Sequence, residues 1–216
     1  MISLRLQKAS KYLEGYNCLA DCGTDHALLP IYAVENDLVK KAYASDNKIG
    51  PYENAVKNIK NANLNESVIP VFAEGLTYLN SEVDIVSILG MGGRMIVSIL
   101  ENADLHNVKR LILIANSENR ILREFLSKNY WKITAEELIK EKNKYYQLMV
   151  LEKGEMTLSN IEMEFGPLII KSKSLFLKEM IAKLIDKLLM AKKNAKTEKA
   201  VLTIEKRIKE LKEVIK

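Results

Sequence analysis

Residues 19–30, LADCGTDHALLP, give the strongest indication of the fold. A short apolar run ends at Asp21, Gly23 follows, and the chain then turns into a segment with the composition of a helix. Nucleotide-cofactor loops begin in this way, because glycine lets the backbone approach a ligand closely. Such loops usually carry a second glycine where this sequence has Asp25. The stretch therefore predicts a cofactor site whose ligand tolerates a carboxylate.

Strand and helix patterns alternate on both sides of this stretch as far as residue 151. Strands are predicted at 17–21, 42–46, 68–73, 83–89 and 111–115, and helices at 3–13, 28–34, 52–62, 95–100 and 120–128. A hairpin is predicted over 131–139 and 145–151, around the polar turn EKNK. This order is typical of an α/β fold of the Rossmann-like class, a mostly parallel sheet with one antiparallel edge.

Length and composition are consistent with that fold. The chain has 216 residues, of which 48% are hydrophobic, enough for one medium domain and a smaller unit. No apolar run approaches the roughly 20 residues that a membrane span needs. The N-terminal segment MISLRLQKASKYLEGY is too charged for a secretory signal. We expect no membrane association and a cytoplasmic location.

The sequence offers few residues for metal or thiol chemistry. Cys18 and Cys22 are the two cysteines, and no histidine or cysteine cluster lies near them in sequence. Two histidines, His26 and His106, limit imidazole catalysis to those positions. We therefore expect no metal site and no disulfide.

Each predicted parallel strand is followed by a polar or glycine-bearing segment. In open α/β sheets, ligands bind beyond the carboxyl ends of the strands, so these segments are expected to meet in space. Asp46 comes 25 residues after Asp21, near the spacing at which an acidic residue accepts ribose hydroxyls. In chain order, the polar and glycine residues at the ends of the five predicted parallel strands are Asp21 with Gly23, Asp46, Glu74 with Gly75, Gly90 with Gly92 and Gly93, and Asn116.

Asp25 distinguishes between possible cofactor classes. A dinucleotide site cradles a pyrophosphate at a helix N-terminus, and Asp25 would place a negative charge against it. S-adenosylmethionine carries a sulfonium cation and no phosphate, so a carboxylate near its reactive end is acceptable. A structural role for Asp25 as the N-cap of the next helix is compatible with this function. A nucleotide-dependent oxidoreductase stays open as an alternative.

The C-terminal segment differs from the rest in pattern and charge. Residues 1–165 have a net charge of −3 and residues 166–216 one of +8. After Gly166-Pro167, apolar residues recur at heptad spacing along two stretches whose phases do not match. We predict an S-adenosylmethionine-binding domain over 1–155 and an antiparallel α-helical coiled-coil hairpin over 156–216, turning near Lys193–Thr197. One long dimerising helix is the rival prediction.

The motifs together resemble one family. DCGTDHALLP, IGPYENA, AEGL, ILGMGG and the Asn116 loop occur in this order and are similar to the bacterial tRNA adenine-N1 methyltransferases that act on adenine 22, the TrmK family. The resemblance covers residues 3–154 and extends more loosely through FGP at 165–167. It implies a Rossmann-like S-adenosylmethionine-binding domain, a C-terminal coiled coil and tRNA as partner.

The resemblance also implies site roles. Asp21 and Gly23 would line the methionine end of the cofactor, Asp46 would bind its ribose, and Glu74 with Gly75 would lie beside its adenine ring. Thr24, Asn47 and Gly90 complete the expected cofactor set. Arg5 would contact substrate phosphate.

Methylation of adenine N1 needs no prior deprotonation, because the ring nitrogen already presents a lone pair. The site must align N1 with the methyl carbon and stabilise the positive charge that the base acquires. Asp25 is the candidate for that charge, and the backbone at Gly90, Gly92 and Gly93, with Asn116, would hold the flat base. His26 is a further substrate candidate, and Lys192, Lys193 and Lys196 are candidates for phosphate contacts. We expect a monomer, and dimerisation through the coiled coil is the alternative. For the function, a catalytically inactive RNA-binding adaptor is an alternative to the enzyme.

Overall fold

The computed structural model describes residues 2–216. Within that range, seven strands form one sheet in the order β3-β2-β1-β4-β5-β7-β6. The strands are β1 Cys18–Cys22, β2 Lys41–Asp46, β3 Val68–Phe72, β4 Ile85–Gly92, β5 Arg110–Ser117, β6 Trp131–Glu141 and β7 Lys144–Lys153. The helices are α1 Leu4–Ser10, α2 Leu28–Glu35, α3 Ile49–Asn61, α4 Gly93–Glu101, α5 Asn119–Lys128, α6 Asn160–Phe165, α7 Pro167–Ser172, α8 Leu175–Lys193 and α9 Glu198–Val214.

The five strands β1 to β5 run parallel, and their carboxyl ends meet at one edge of the sheet. β1 is buried along its whole length and lies between β2 and β4. Such central parallel strands are buried on both faces because helices cover each side. One apolar cluster contains Ile88, Ile96 and Leu122, and the other contains Leu13, Leu29 and Ile112. The sheet thus holds the segments that follow β1, β2 and β4 in fixed relative positions.

The hairpin of β6 and β7 closes the sheet. β7 pairs antiparallel with β5, and β6 forms the outer edge. Both the Rossmann-like fold class and the antiparallel edge were predicted from the sequence, and the observed sheet confirms them. Element boundaries differ from the predicted ones by up to three residues, as at the end of β4. That strand continues through Gly90 to Gly92, with register shifts against β5 after Leu89.

Four helices follow the sheet. α6 and α7, which were not predicted, are separated by Gly166, whose φ is +88°, and Pro167 begins α7. α8 and α9 are joined by a turn over 194–197. They run antiparallel, since Lys192 pairs with Glu205 and Lys173 donates to the carbonyl of Lys216. The helical C-terminal part is therefore confirmed and the rival single long helix is wrong, while the coiled-coil packing and the division at 155/156 stay predictions.

The helices also bear on membrane association. No helix within residues 2–216 combines the length and apolarity needed to cross a bilayer.

Candidate active site

Two clefts open at the carboxyl ends of β1, β2 and β4, and they share the loop that follows β1. Gly23 and Asp25 line both clefts. The Glu74 cleft, named for one of its lining residues, has a volume of about 530 Å³, and the Arg5 cleft about 310 Å³. Both volumes lie in the range of small-molecule sites. The loop thus separates two neighbouring sites, each of which reaches the same two residues.

The Glu74 cleft gathers most of the expected cofactor residues. Asp46 is the last residue of β2 and Asn47 follows it, while Glu74 and Gly75 follow β3, so the pairing of these two strands brings them together. The Asn47 amide donates to Glu74 Oε2 at 2.8 Å, and Asp46 Oδ1 accepts the backbone N–H of Lys48 at 3.0 Å. Each carboxylate therefore has one oxygen engaged by the protein and one available to a ligand.

An apolar wall faces these carboxylates. The wall is formed by Pro51, Met91, Met95 and Ile99. The Met91 side chain reaches over Gly23, where a Cβ atom would lie 2.2 Å from Met91 Cε. Gly23 also has a φ of +74°, a conformation that costs little only for glycine. Glycine is required here both by the backbone and by the close approach of Met91.

Asp21 lies at the end of β1 and lines the Arg5 cleft rather than the Glu74 cleft. Its side chain is buried, with Oδ1 accepting from Ser87 at 2.5 Å and Oδ2 from Thr24 at 2.7 Å. Burial raises the pKa of the Asp21 carboxyl, and the hydroxyls of Ser87 and Thr24 oppose that rise by stabilising the charged form. Two donors thus hold a buried carboxyl in a fixed orientation beside the cleft.

Asp25 lies at the junction of the two clefts, and its neighbour His26 lines the Arg5 cleft. Asp25 has a φ of +53°, and its Oδ2 lies 3.5 Å from His26 Nε2. Both side chains are about half exposed. The interpretation of Asp25 as the N-cap of α2 is wrong: Ala27 occupies that position in a left-handed conformation, without a side-chain cap. The Asp25 carboxylate is therefore not engaged in capping α2.

Arg5 lies in α1 and lines the Arg5 cleft. Its guanidinium pairs with Glu141 at 2.8 Å and lies 4.2 Å from the centroid of the Tyr146 ring. Gly90 lies next to Arg5, since a Cβ at Gly90 would be 3.9 Å from Arg5 Nη1. The Asn116 amide donates to the Gly90 carbonyl. The Asn116 segment is thus fixed against the β4 end, beside the cleft that contains Asp21.

The other two glycines of the GMGG segment have different surroundings. Gly92 lines the Glu74 cleft and lies near the Glu118 carboxylate. Gly93 is buried at the beginning of α4, and a Cβ there would lie 2.5 Å from the Glu118 carbonyl oxygen. Close backbone packing accounts for the glycine at 93, whereas Gly92 faces the cleft.

The lysines singled out in the C-terminal segment lie apart from both clefts. Lys192, in the last turn of α8, pairs with Glu205 at 2.6 Å, while Lys193 and Lys196 are exposed at the turn between α8 and α9. They form a basic tip of the helical hairpin. The structure therefore brings together the residues of the loops, and places these lysines at a separate surface.

Some site residues were missed in the sequence. Ser87 lies in β4 and is the one polar side chain of that otherwise apolar strand. This exception in the sequence pattern was the signal that could have identified it. Met95, Ile99 and Pro51 carry no sequence signal that separates them from core residues. They line the Glu74 cleft only because α3 and α4 pack beside the strand ends.

The residues of the Glu74 cleft fit S-adenosylmethionine. Asp25, Asp46 and Glu74 are carboxylates, and Lys48 is the cation among the lining residues. An excess of negative charge opposes a pyrophosphate and suits a sulfonium and hydroxyl groups. The apolar wall around Met91 offers a surface for a flat purine ring. The cleft chemistry therefore favours this cofactor over a dinucleotide.

Comparison with known proteins decides the family. A family model described as TrmK, tRNA (adenine(22)-N(1))-methyltransferase, matches residues 19–216. The chain belongs to the TrmK family. The tRNA (adenine(22)-N(1))-methyltransferase of Bacillus subtilis is 33% identical over 188 residues, which are 82% of this chain and 79% of the relative. The family and the enzyme class predicted from the motifs are thereby confirmed.

Solved TrmK structures agree in fold over the whole chain. Mycoplasma capricolum TrmK, in complex with the cofactor product S-adenosyl-homocysteine, has a TM-score of 0.90 at 30% identity, with 100% of both chains covered. A Streptococcus pneumoniae protein in complex with S-adenosyl-L-methionine has a TM-score of 0.92 at 36% identity, also with 100% of both chains covered. S-adenosylmethionine as the cofactor of this TrmK chain is confirmed by these complexes.

Metal binding is a separate question. Among residues 2–216, no group of three or more histidine, cysteine, aspartate or glutamate side chains is arranged to hold a metal ion. A metal-free reaction stays a prediction for this TrmK chain.

Proposed function

We propose that this chain methylates N1 of adenine 22 in tRNA, with the cofactor in the Glu74 cleft and the adenine in the Arg5 cleft. The observation that carries the proposal is the loop at Gly23 and Asp25, which lines both clefts. Two ligands bound on either side of one loop can bring their reacting atoms together, which is the main requirement for this reaction.

Bound S-adenosylmethionine supplies an electrophilic methyl group on a cationic sulfur. Adenine N1 attacks the methyl carbon as the carbon–sulfur bond breaks, and the positive charge passes from sulfur to the base. Asp25 lies at the junction where this charge moves, so its carboxylate stabilises the developing cation. No proton has to be removed before the attack, and His26 is accordingly assigned to substrate contact rather than to general base catalysis.

The remaining expected residues have positioning roles in this proposal. Asp46 and Glu74 accept hydrogen bonds from the cofactor through their free oxygens, and Asn47 orients Glu74. Asp21 and Thr24 hold the loop that contains Gly23. Arg5 contacts substrate phosphate, and Asn116 fixes the backbone of Gly90 where the base enters.

The helical hairpin is proposed to bind the tRNA body. A cleft that takes one flipped base cannot by itself grip a folded RNA. Residues 166–216 have a net charge of +8 against −3 for residues 1–165, so phosphate contacts are expected from the hairpin. Lys192, Lys193 and Lys196 at its tip are assigned to this role. We also propose that the enzyme acts as a monomer in the cytoplasm and that the reaction needs no metal ion.

Methyl transfer to a defined tRNA tests this function. The substrate is a tRNA transcript with adenine at position 22, the control is the same transcript with guanine there, and the product is identified by nucleoside analysis. We expect 1-methyladenosine from the first transcript alone, also in the presence of a metal chelator. Cofactor and tRNA binding without methyl transfer would instead support the inactive RNA-binding adaptor, and binding of a nicotinamide dinucleotide in place of S-adenosylmethionine would support an oxidoreductase.

A further inference from the structure

A third cleft lies between the catalytic sheet and the helical hairpin. This Gln147 cleft has a volume of about 500 Å³ and is lined by residues of β7, α5 and α8, among them Gln147, Arg120, Lys183 and Lys187. It also reaches Glu118, whose carboxylate lies beside Gly92 at the Glu74 cleft. The Gln147 cleft is therefore next to the catalytic clefts and separate from the hairpin tip.

A buried acceptor in this cleft has no partner within residues 2–216. Gln147 is 8% exposed, and its Nε2 donates to the Glu164 carbonyl at 3.2 Å, which fixes the orientation of the amide. Its Oε1 is buried and accepts no hydrogen bond, and the same holds for Oδ1 of Asn119, a second lining residue. Unsatisfied buried acceptors are costly, so these two oxygens are candidate acceptors for hydrogen bonds from a ligand in the cleft.

The charges of the cleft favour an anion. Its two carboxylates are already paired, Glu118 with Arg94 and Glu164 with Arg207. Its cations Lys183, Lys187 and Arg120 form no ion pair within 4.0 Å in the described part of the chain. The unpaired charge is therefore positive, and it lines the same cleft as the unsatisfied acceptors.

We propose that the Gln147 cleft is a subsite for a second nucleotide of the tRNA, one whose base carries an exocyclic amino group. The amino group donates to Gln147 Oε1, and Lys183 and Lys187 contact the phosphate. Phe165 and Met180 supply an apolar surface for the base. This inference rests on the proposed function, and it adds a contact that selects the RNA near the methylated adenine.

Labelling of an introduced cysteine tests binding at the cleft directly. The two native cysteines, Cys18 and Cys22, are buried, so Asn143→Cys places one accessible thiol at the cleft. We expect tRNA to slow maleimide labelling of this thiol, while Glu155→Cys, an exposed position outside the cleft lining, is labelled at an unchanged rate. Cytidine 5′-monophosphate should protect Asn143→Cys at lower concentration than uridine 5′-monophosphate, which lacks the amino group.

Variants separate this subsite from the catalytic function. Gln147→Met, which keeps the side-chain length, should raise the KM for tRNA about tenfold and remove the preference for cytidine over uridine monophosphate. Lys183→Ala with Lys187→Ala should also raise this KM, whereas Lys60→Ala, at an exposed position on α3, should leave it near the wild-type value. The Kd for S-adenosylmethionine should not change in any of these variants.

The outcomes distinguish the two proposals. Equal labelling of Asn143→Cys with and without tRNA, in an enzyme that methylates the same tRNA, would overturn the subsite and leave the function intact. An unchanged KM for Gln147→Met would likewise overturn it. Protection of Asn143→Cys by tRNA without any methyl transfer would support the subsite and reject the proposed function.

Discussion

Arg123 and Glu136 form an ion pair from which solvent is completely excluded. Arg123 Nη2 lies 2.6 Å from Glu136 Oε1, and both side chains are fully buried. Glu136 Oε2 accepts the backbone N–H of Leu168 at 2.9 Å, and Arg123 donates to the Met163 carbonyl at 3.2 Å. The pair therefore connects α5 and β6 to the chain around α6 and α7, where the helical part joins the sheet.

Removal of one member of this pair should destabilise the protein strongly. Arg123→Met leaves the Glu136 carboxylate buried without its partner, at an expected cost of about 3–5 kcal/mol in the free energy of unfolding. Chemical denaturation measures this cost. Addition of Glu136→Gln should recover part of it, and Lys128→Met, which breaks an exposed pair with Glu124 on the same helix, should cost less than about 1 kcal/mol. Equal effects of Arg123→Met and Lys128→Met would contradict the expectation.

Gly23→Ala should weaken cofactor binding more than it weakens the fold. The new Cβ would displace Met91 into the Glu74 cleft, and the positive φ adds roughly 1 kcal/mol of strain. We expect the Kd for S-adenosylmethionine to rise at least about tenfold, measured by calorimetry. Gly15→Ala is a matched control, with a φ of +89° and no atom within 4 Å of the added Cβ. It should lose similar stability and bind cofactor normally.

Asp25→Asn should reduce methyl transfer by one to two orders of magnitude at saturating cofactor. The side chain keeps its shape, asparagine tolerates the positive φ, and the charge beside the reacting atoms is removed. Single-turnover kinetics on tRNA measures the effect. His26→Gln, which removes the neighbouring imidazole, should have a smaller effect on the same rate. A wild-type rate for Asp25→Asn would exclude electrostatic stabilisation by this residue.

Asp21→Asn should raise the thermal stability of the protein without cofactor near neutral pH. Burial raises the pKa of the Asp21 carboxyl, so the folded protein holds this proton more tightly than the unfolded chain. The stability that this bound proton contributes is fully present below the ordinary carboxyl pKa and is lost as pH rises through the raised pKa of Asp21. The Tm of Asp21→Asn minus the Tm of the wild type should therefore increase between these two pH values. Asp186→Asn, an exposed position on α8, serves as control, and a lower Tm for Asp21→Asn at pH 7 would argue against this account.

Binding of tRNA should depend on salt through the hairpin tip. Lys193, Lys196 and Lys199 are exposed and form no ion pair within the described residues, so they are available to phosphate. Their simultaneous change to glutamine should flatten the slope of log affinity against log salt by up to roughly three, because each lysine that binds a phosphate adds roughly one to that slope. Filter binding across a salt series measures this slope. The same changes at the exposed residues Lys11, Lys40 and Lys60, outside the hairpin, should leave it nearly unchanged, and equal slopes for both triple variants would assign the hairpin another role.

The sequence predicted the strand and helix order well because local pattern and burial agree along β1 to β5. It failed where the backbone departs from local preference. Asp25 and Ala27 both adopt positive φ, so the expected N-cap at Asp25 does not form. α6 and α7 are short, and they are held by contacts such as that of Leu168 with Glu136 rather than by a strong periodicity of their own.

The sequence by itself determined the family, the cofactor class and the residues that follow each strand, because these depend on short motifs whose spacing is local. Only the tertiary structure decided that Gly23 and Asp25 separate two clefts, that Asp21 belongs to the Arg5 cleft, and that Gly93 is packed against the backbone at Glu118. It also created the Gln147 cleft from β7, α5 and α8, which are distant in sequence. The physical reason is that a cleft depends on which elements pack together, and this packing is set by the whole core rather than by any one segment.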